Sequence, residues 1–472
     1  MFCIAALKRL FSLEKSCHKP YICQSYMRAF FTIPDLDINQ EASVDPMGVQ
    51  VIWTHFGQQI FADKLTTIAN DLRVYTFNIF HQHLINKLMT DHAEELHEAK
   101  KYYQTWKTEF DVKAGLLMFL EDLVTHIFYH SKEDHSNAET IGILGLNKVR
   151  SLYQTYAPEK IYLSANKRMG ILKNQLILGM TGRYKGPMMN MSFFDRSFTF
   201  LPQTWERVNH FMSKWNEAFE LEDHIIKLVI KHLFQSRKRE FPRLSVAEIK
   251  QSGLWKKISE GYLLCFGKRK LPRDIRNFWK DKLGLISGSS AALYEEIAAW
   301  TPEDPVRHEQ IFTGARTHLK NEPEELLKID QVLEVEPFLS HTEFLLRFLA
   351  QPEIKHLSDE EKELKQLREL IIRSTGFSPS PHLPRLKELK QLMLKEGSLI
   401  DWLQQVLLYH HTIMTKRGGS KWVEIDAEGT LKHYFSPPLP EYINTIKKYM
   451  NELPWLHHYY LGTLWSIHQG LK

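Results

Sequence analysis

Asp122, His126 and His130 recur every four residues, which on a helix puts a carboxylate and two imidazoles on one face, about a turn apart. Such groups can hold zinc or another divalent ion, so a metal-dependent hydrolase is one chemistry to consider. Glu133, Asp134 and His135 follow directly. The HExxH spacing is absent and no distant ligand is identifiable. A helix end carrying solvated histidines accounts for the same residues, because the C-terminal dipole favours cations. A metal site at His81/His83/His92/His97 would need partners from elsewhere, and chance clustering is expected among 23 histidines; His410-His411 with His457-His458-Tyr459-Tyr460 fit core or interface placement better than a general base. Adjacent helical residues diverge by about 100°, so at most one of such a pair can face a site.

Nucleophile and cofactor signatures are missing: there is no GxSxG elbow, no Walker A and no GxGxxG. No catalytic residue is therefore assigned and no cofactor is expected. Asp426, Glu428 and Lys432 lack the compact spacing of a nuclease.

The stretch Lys167–Trp205 offers a different chemistry. Gly170, Gly179, Gly182, Gly186 and Pro187 interrupt a helical period, and Lys167, Arg168, Lys173, Arg183 and Lys185 sit among them. Glycine lets backbone amides approach a phosphate, and Lys and Arg supply charge. Tyr184 could stack on a base. Three other basic loops join the set: Arg237-Lys238-Arg239, Lys268-Arg269-Lys270 with Arg273 and Arg276, and Lys416-Arg417. The expected partner is DNA or RNA, bound without catalysis by a component of a larger assembly. The competing reading is a protein-interaction scaffold whose basic and acidic segments dock partners.

Charge distribution supports a contact region in the middle of the chain. Residues 151–290 hold 25 Lys and Arg against 12 Asp and Glu, a surplus of 13; residues 291–360 hold 6 against 15, a deficit of 9. The whole chain is only +5, so the asymmetry is internal.

The elements that must position these residues read as mainly α, in two to three domains, with an irregular Gly/Met/Phe-rich central insertion and one small C-terminal β-hairpin. Apolar residues recur at threes and fours in Ile52, Phe56 and Ile60, and a strongly apolar helix spans Phe110–His130. Ser245–Glu248, Ser340–Glu343 and Ser358–Glu361 have the spacing of capping boxes. Residues 284–290 read as linker. A hairpin is expected over 422–435. The divisions are an arm over 1–47, a helical domain over 48–157, a basic domain over 158–290 and an acidic-to-mixed domain over 291–472.

Residues 1–26 resemble an amphipathic targeting segment, although a chain beginning at Met27 is the simpler expectation. Three of the four cysteines fall at Cys3, Cys17 and Cys23, with no CxxC pair, which suits a reducing, cytoplasmic compartment. No apolar run approaches the roughly 18 residues of a membrane span, so no membrane partner is expected.

Overall fold

The computed structural model describes residues 45–134, 143–155, 160–166, 168–196, 198–235, 243–266, 273–300, 308–379, 381–439, 443 and 445–472, without the side chains of 132–134, 211, 213–219 and 235. The expected arm over 1–47 therefore lies outside the described residues up to position 44. The chain is mainly α, with two small two-stranded antiparallel sheets.

The first helices are α1 (Val49–Phe61), α2 (Leu72–Asp91), α3 (Ala93–Lys100), α4 (Glu109–Asp134) and α5 (Leu146–Gln154). Ile52, Phe56 and Ile60 line the buried side of α1, as their spacing requires. Asp71 caps α2 by accepting from the Arg73 amide at 2.8 Å. Leu116 through Val124 of α4 is buried on every side, so α4 is a core helix rather than an amphipathic surface one. Each fully buried Leu or Phe in it stabilises the fold by about 1.5–3 kcal/mol.

Strand β1 (Lys160–Tyr162) pairs antiparallel with β2 (Arg243–Ser245), with Ile161 opposite Leu244. Between them lie α6 (Gln175–Leu178), α7 (Met180–Asn190), α8 (Pro202–Phe219) and α9 (Leu221–Gln235); α10 (Val246–Gln251), α11 (Leu254–Phe266) and α12 (Arg273–Leu283) follow. Ser245 and Glu248 form the expected capping box on α10, each side chain bonded to the other's amide. The glycine-rich stretch corrects the expectation of irregular backbone, because Met180–Asn190 is helical despite Gly182, Gly186 and Pro187. Gly182 is there for packing: a Cβ would lie 2.4 Å from the carbonyl oxygens of both Leu176 and Ile177.

The remaining helices are α13 (Gly288–Ala298), α14 (His308–His318), α15 (Pro323–Leu349), α16 (Glu361–Arg373), α17 (Pro384–Met393), α18 (Leu399–Lys416), α19 (Ile446–Glu452) and α20 (Leu461–Leu471). The expected linker is a turn into α13, with Gly284 and Gly288 at φ 75° and 72°. There the Glu325 carboxylate accepts from the Ser289 amide (2.9 Å) and hydroxyl (2.6 Å). Ser340–Glu343 is no helix start; it lies inside the 27-residue α15. Ser358–Glu361 falls at a 3-10 turn leading into α16, without a side-chain cap bond. The expected hairpin forms, with β3 (Val423–Ile425) and β4 (Leu431–His433) paired Val423 to His433 through a turn at Gly429. Helix α1 packs along α15, and Asp45–Lys472 clusters as one compact unit. Among the described residues no helix is long and apolar enough to cross a membrane.

Candidate functional site

The glycine-rich loop does cradle an anion, and that anion belongs to the chain. The N-terminus of α7 directs the Thr181 amide at Glu121 Oε1 (2.5 Å), while Gln175 Nε2 donates to Oε2 (2.7 Å). Gly179 permits this approach, since a Cβ there would lie 2.2 Å from Glu121 Oε2. Burial raises the Glu121 pKa, and the bonds from Thr181, Gln175 and the Met180 amide oppose that rise. With the donors occupied, no phosphate can take the same cradle without displacing Glu121.

The side chains around the cradle are also committed. Tyr184 is fully buried, its ring 4.6 Å from Tyr75 and its hydroxyl accepting from the Asp71 amide at 3.1 Å. This corrects its expected role, because no ring face is open to a base. Lys185 Nζ donates to the Arg196 carbonyl (2.6 Å) and lies 4.0 Å from the centre of the Phe198 ring. Arg183 is half-buried, and its Nε has no hydrogen-bond partner.

Elsewhere, Arg276 Nη1 donates to the Lys472 carbonyl (3.3 Å), and Arg417 Nη2 pairs with the buried Asp45 carboxylate (2.8 Å). Arg168, Arg273 and Lys416 are exposed. Lys167, Arg237, Lys238, Arg239, Lys268, Lys270 and Arg269 lie outside the described residues. The structure thus leaves part of the expected basic set on the surface, bonds the half-buried Lys185 and Arg276 to backbone carbonyls, and pairs the exposed Arg417 with the buried Asp45.

The expected metal ligands do not assemble. Asp122 is buried and accepts from the Ile171 amide at 3.3 Å, with burial raising its pKa well above the usual carboxylate range. His126 and His130 both turn to one phenol: His126 Nδ1 lies 3.3 Å, and His130 Nε2 2.5 Å, from the Tyr153 hydroxyl. Among the described residues no group of three or more His, Cys, Asp and Glu side chains is placed to hold a metal ion. Burial, reinforced by His130, holds His126 down to about 3. Its folded pKa lies below the unfolded value of 6.5, so the neutral ring's contribution is fully present above pH 6.5 and fades as pH falls toward 3. His126→Asn should therefore lose about 1 kcal/mol less stability than wild type between about pH 7 and about pH 5.5, measured by urea unfolding. Equal losses would show that His126 charges without cost.

His81, His83 and His410 serve the fold. His81 Nε2 meets the Tyr262 hydroxyl (2.9 Å), and His83 Nε2 meets Glu222 (2.7 Å). His410 is fully buried: Nε2 accepts from the Trp422 amide (2.9 Å) and Nδ1 donates to the Pro46 carbonyl (3.0 Å). On the hairpin, Asp426 accepts from the Glu428 and Thr430 amides (3.0 and 2.8 Å), a turn-forming role.

The densest polar cluster escaped the sequence reading. Glu336, Ser340 and Glu343 share one face of α15, and His457 from the loop after α19 lies between the two glutamates. Its Nδ1 is 2.9 Å from Glu336 Oε2, and its Nε2 is 3.0 Å from Glu343 Oε2. Both nitrogens face acceptors only, so the ring must be an imidazolium. Burial by itself would lower its pKa, but the Glu336 charge and bonds to both carboxylates outweigh burial and carry it to about 10. Burial likewise opposes ionisation of Glu343, but His457 and Arg347 hold it at about 2. Glu336 also accepts from Tyr459 (2.6 Å), Ser340 (2.5 Å) and the amides of Leu456 and His457 (3.2 Å each). A ring charged at neutral pH has no lone pair for base catalysis. This cluster fastens the terminal loop to α15 instead. The spacing of Glu336, Ser340 and Glu343 in an apolar helix was the available signal. Ser340 and Glu343 by themselves have the spacing of a cap, which masks the cluster in the local pattern.

No protein-family model, no curated protein and no solved structure matches this chain, so its function has to be argued from its own residues.

Proposed function

We propose that the protein is a non-enzymatic component of a larger cytoplasmic assembly, and that it binds the phosphodiester backbone of DNA or RNA. Within the expected three-part organisation, the basic segment 158–290 is the contact region and 291–472 faces protein partners. One observation carries this reading. The central surplus of positive charge is not offset by the acidic segment: among the described residues no ion pair joins 151–290 to the acidic 291–360. Carboxylates of the acidic segment pair instead with His318, Arg316, Lys328 and His457. Arg168, Lys173, Lys227, Lys231, Lys257 and Arg273 stay exposed. Exposed, unneutralised cations release counterions when they meet phosphates, which drives sequence-independent binding.

The test is anisotropy of labelled single-stranded and duplex oligonucleotides across a salt titration. Replacing Arg168, Lys173 and Arg273 together with alanine should weaken binding at least tenfold and flatten the log affinity against log salt slope by about 1 per lost phosphate contact. An unchanged slope would remove the reading. A protein-interaction scaffold is favoured instead by the exposed Leu327, 57% accessible beside Glu324. Pull-down with and without nuclease separates the two.

A further inference from the structure

Three cations from separate parts of the chain meet around a single carboxylate where α8 approaches the end of α12. Lys282, near the end of α12, sends Nζ to the Thr204 hydroxyl (3.0 Å) and the Met191 carbonyl (3.4 Å). Arg207 of α8 pairs through Nη1 with Asp281 (2.8 Å) while its guanidinium lies 5.3 Å from the centre of the Phe278 ring. Lys64 arrives from the turn after α1. Ala62 and Asp63, just before it, both adopt left-handed backbone (φ 48° and 55°), a conformation costly for residues other than glycine. That turn lays the Lys64 ammonium against Gly284, where a Cβ would lie 3.2 Å from Nζ. The Tyr75 hydroxyl pins the turn by donating to the Lys64 carbonyl (3.0 Å).

The charge does not balance. Among the described residues, Asp281 is the one carboxylate acting on Lys64 and Lys282 and the one ion-pair partner of Arg207. The C-terminal end of α12 adds about half a negative charge, too little to offset two further cations. Burial pulls both lysines below the ordinary lysine range; Arg207 and Lys64 push Lys282 the same way, and Asp281 opposes the shift in each. Lysines in this state cost stability while the site is empty, and an anion would relieve that cost.

We infer that Lys64, Arg207 and Lys282 form a site for a phosphate group, open to solvent on the side of Arg207. The group comes either from a small phosphorylated molecule or from a nucleic-acid backbone; the inference does not rest on the proposed function. A phosphate monoester, doubly charged, matches both unbalanced cations, and a singly charged phosphodiester matches one of them; in either case Arg207 presents a planar fork suited to the phosphate oxygens.

The experiment follows thermal unfolding of the full chain in increasing inorganic phosphate, with ionic strength held constant by chloride. Wild type should show a Tm that rises with the logarithm of phosphate concentration. Lys64→Met should lose that rise, and its Tm without phosphate should equal or exceed that of wild type, because a poorly compensated cation has gone. Lys282→Met should also lose the response, though its lost bonds to Thr204 and Met191 should lower its starting Tm. A wild type indifferent to phosphate, a Lys64→Met protein that still responds, or one that is less stable without phosphate would each overturn the site. Oligonucleotide affinity then names the source: a tenfold or greater loss in Lys64→Met assigns the phosphate to a nucleic-acid backbone, and an unchanged affinity with the phosphate response lost assigns it to a small molecule. If no oligonucleotide binds even to wild type, the proposed function fails while a phosphate response keeps the site.

Discussion

Glu336→Ala should lower the unfolding free energy by about 3–5 kcal/mol, the range for breaking a buried charge pair from one side. The substitution strands more than a carboxylate. Tyr459, Ser340 and the amides of Leu456 and His457 all donate to Glu336; Tyr459, Ser340 and the His457 amide would be left buried without that acceptor, while the half-buried Leu456 amide keeps the Ser340 oxygen at 2.8 Å. His457 would keep only Glu343. Glu336→Gln should cost less, since its amide oxygen can still accept from Ser340 and the Leu456 and His457 amides, while the charge and the second acceptor oxygen facing Tyr459 are lost. Urea unfolding at neutral pH checks both, and similar small losses would mean the cluster is a passive neighbour. The pH dependence has a definite sign. The His457 pKa is raised from 6.5 to about 10, so its contribution is fully present below pH 6.5 and is lost as pH rises through about 10. His126 behaves in the opposite sense, which lets the two be told apart in one pH series.

Gly182→Ala should be strongly disruptive despite adding a single methyl group. Its Cβ would meet the carbonyl oxygens of Leu176 and Ile177 at 2.4 Å, and these are backbone atoms that cannot swing aside. Overpacking of this kind costs about 1–3 kcal/mol, and the rigid neighbours put Gly182 at the upper end. Gly186, four residues on in the same helix, is the control. Nothing lies within 4 Å of its would-be Cβ, so Gly186→Ala should stabilise α7 by up to about 1 kcal/mol through helix propensity. Thermal unfolding of the two single variants gives the comparison. If both were tolerated, the packing of α7 on α6 would be looser than the structure indicates. If both were destabilising, glycine would be needed at 186 for a reason other than space.

The two classes of prediction bear differently on function. Glu336 and Gly182 maintain the scaffold, and their loss should reduce any binding only through unfolding. Lys64, Arg168, Lys173 and Arg273 make no such contribution, so variants there should alter ligand response in a folded protein. Far-UV circular dichroism alongside each binding measurement separates the two.

Much of the architecture follows from the sequence because local signals suffice for it. The Ile52, Phe56, Ile60 stripe can be buried only if the segment is helical, and α1 is. The apolar density of residues 116–128 demands burial, and α4 supplies it. Alternation about a glycine turn gives the 422–435 hairpin, and Ser245 with Glu248 gives a cap whose two partners are three residues apart. The excess of positive charge over 151–290 is likewise a property of composition, and no fold can cancel it without carboxylates from elsewhere.

What the tertiary structure decided depends on partners distant in sequence. Gly179 and Gly182 break a helical pattern by propensity, yet α7 forms because Glu121, 60 residues before Thr181, fills the N-terminal cradle and packing demands a bare backbone. Tyr184 has the appearance of a stacking residue until Tyr75 and the Asp71 amide enclose it. Ser340–Glu343 has the spacing of a cap, but its glutamate binds His457, 114 residues away, in the middle of a helix. The convergence of Lys64, Arg207 and Lys282 had no local signature, since each comes from a different segment. Helical period and charge excess are set by neighbours along the chain. Whether a cation, a ring or a glycine faces solvent, a ligand or its own carboxylate is set by long-range packing, which only the folded chain contains.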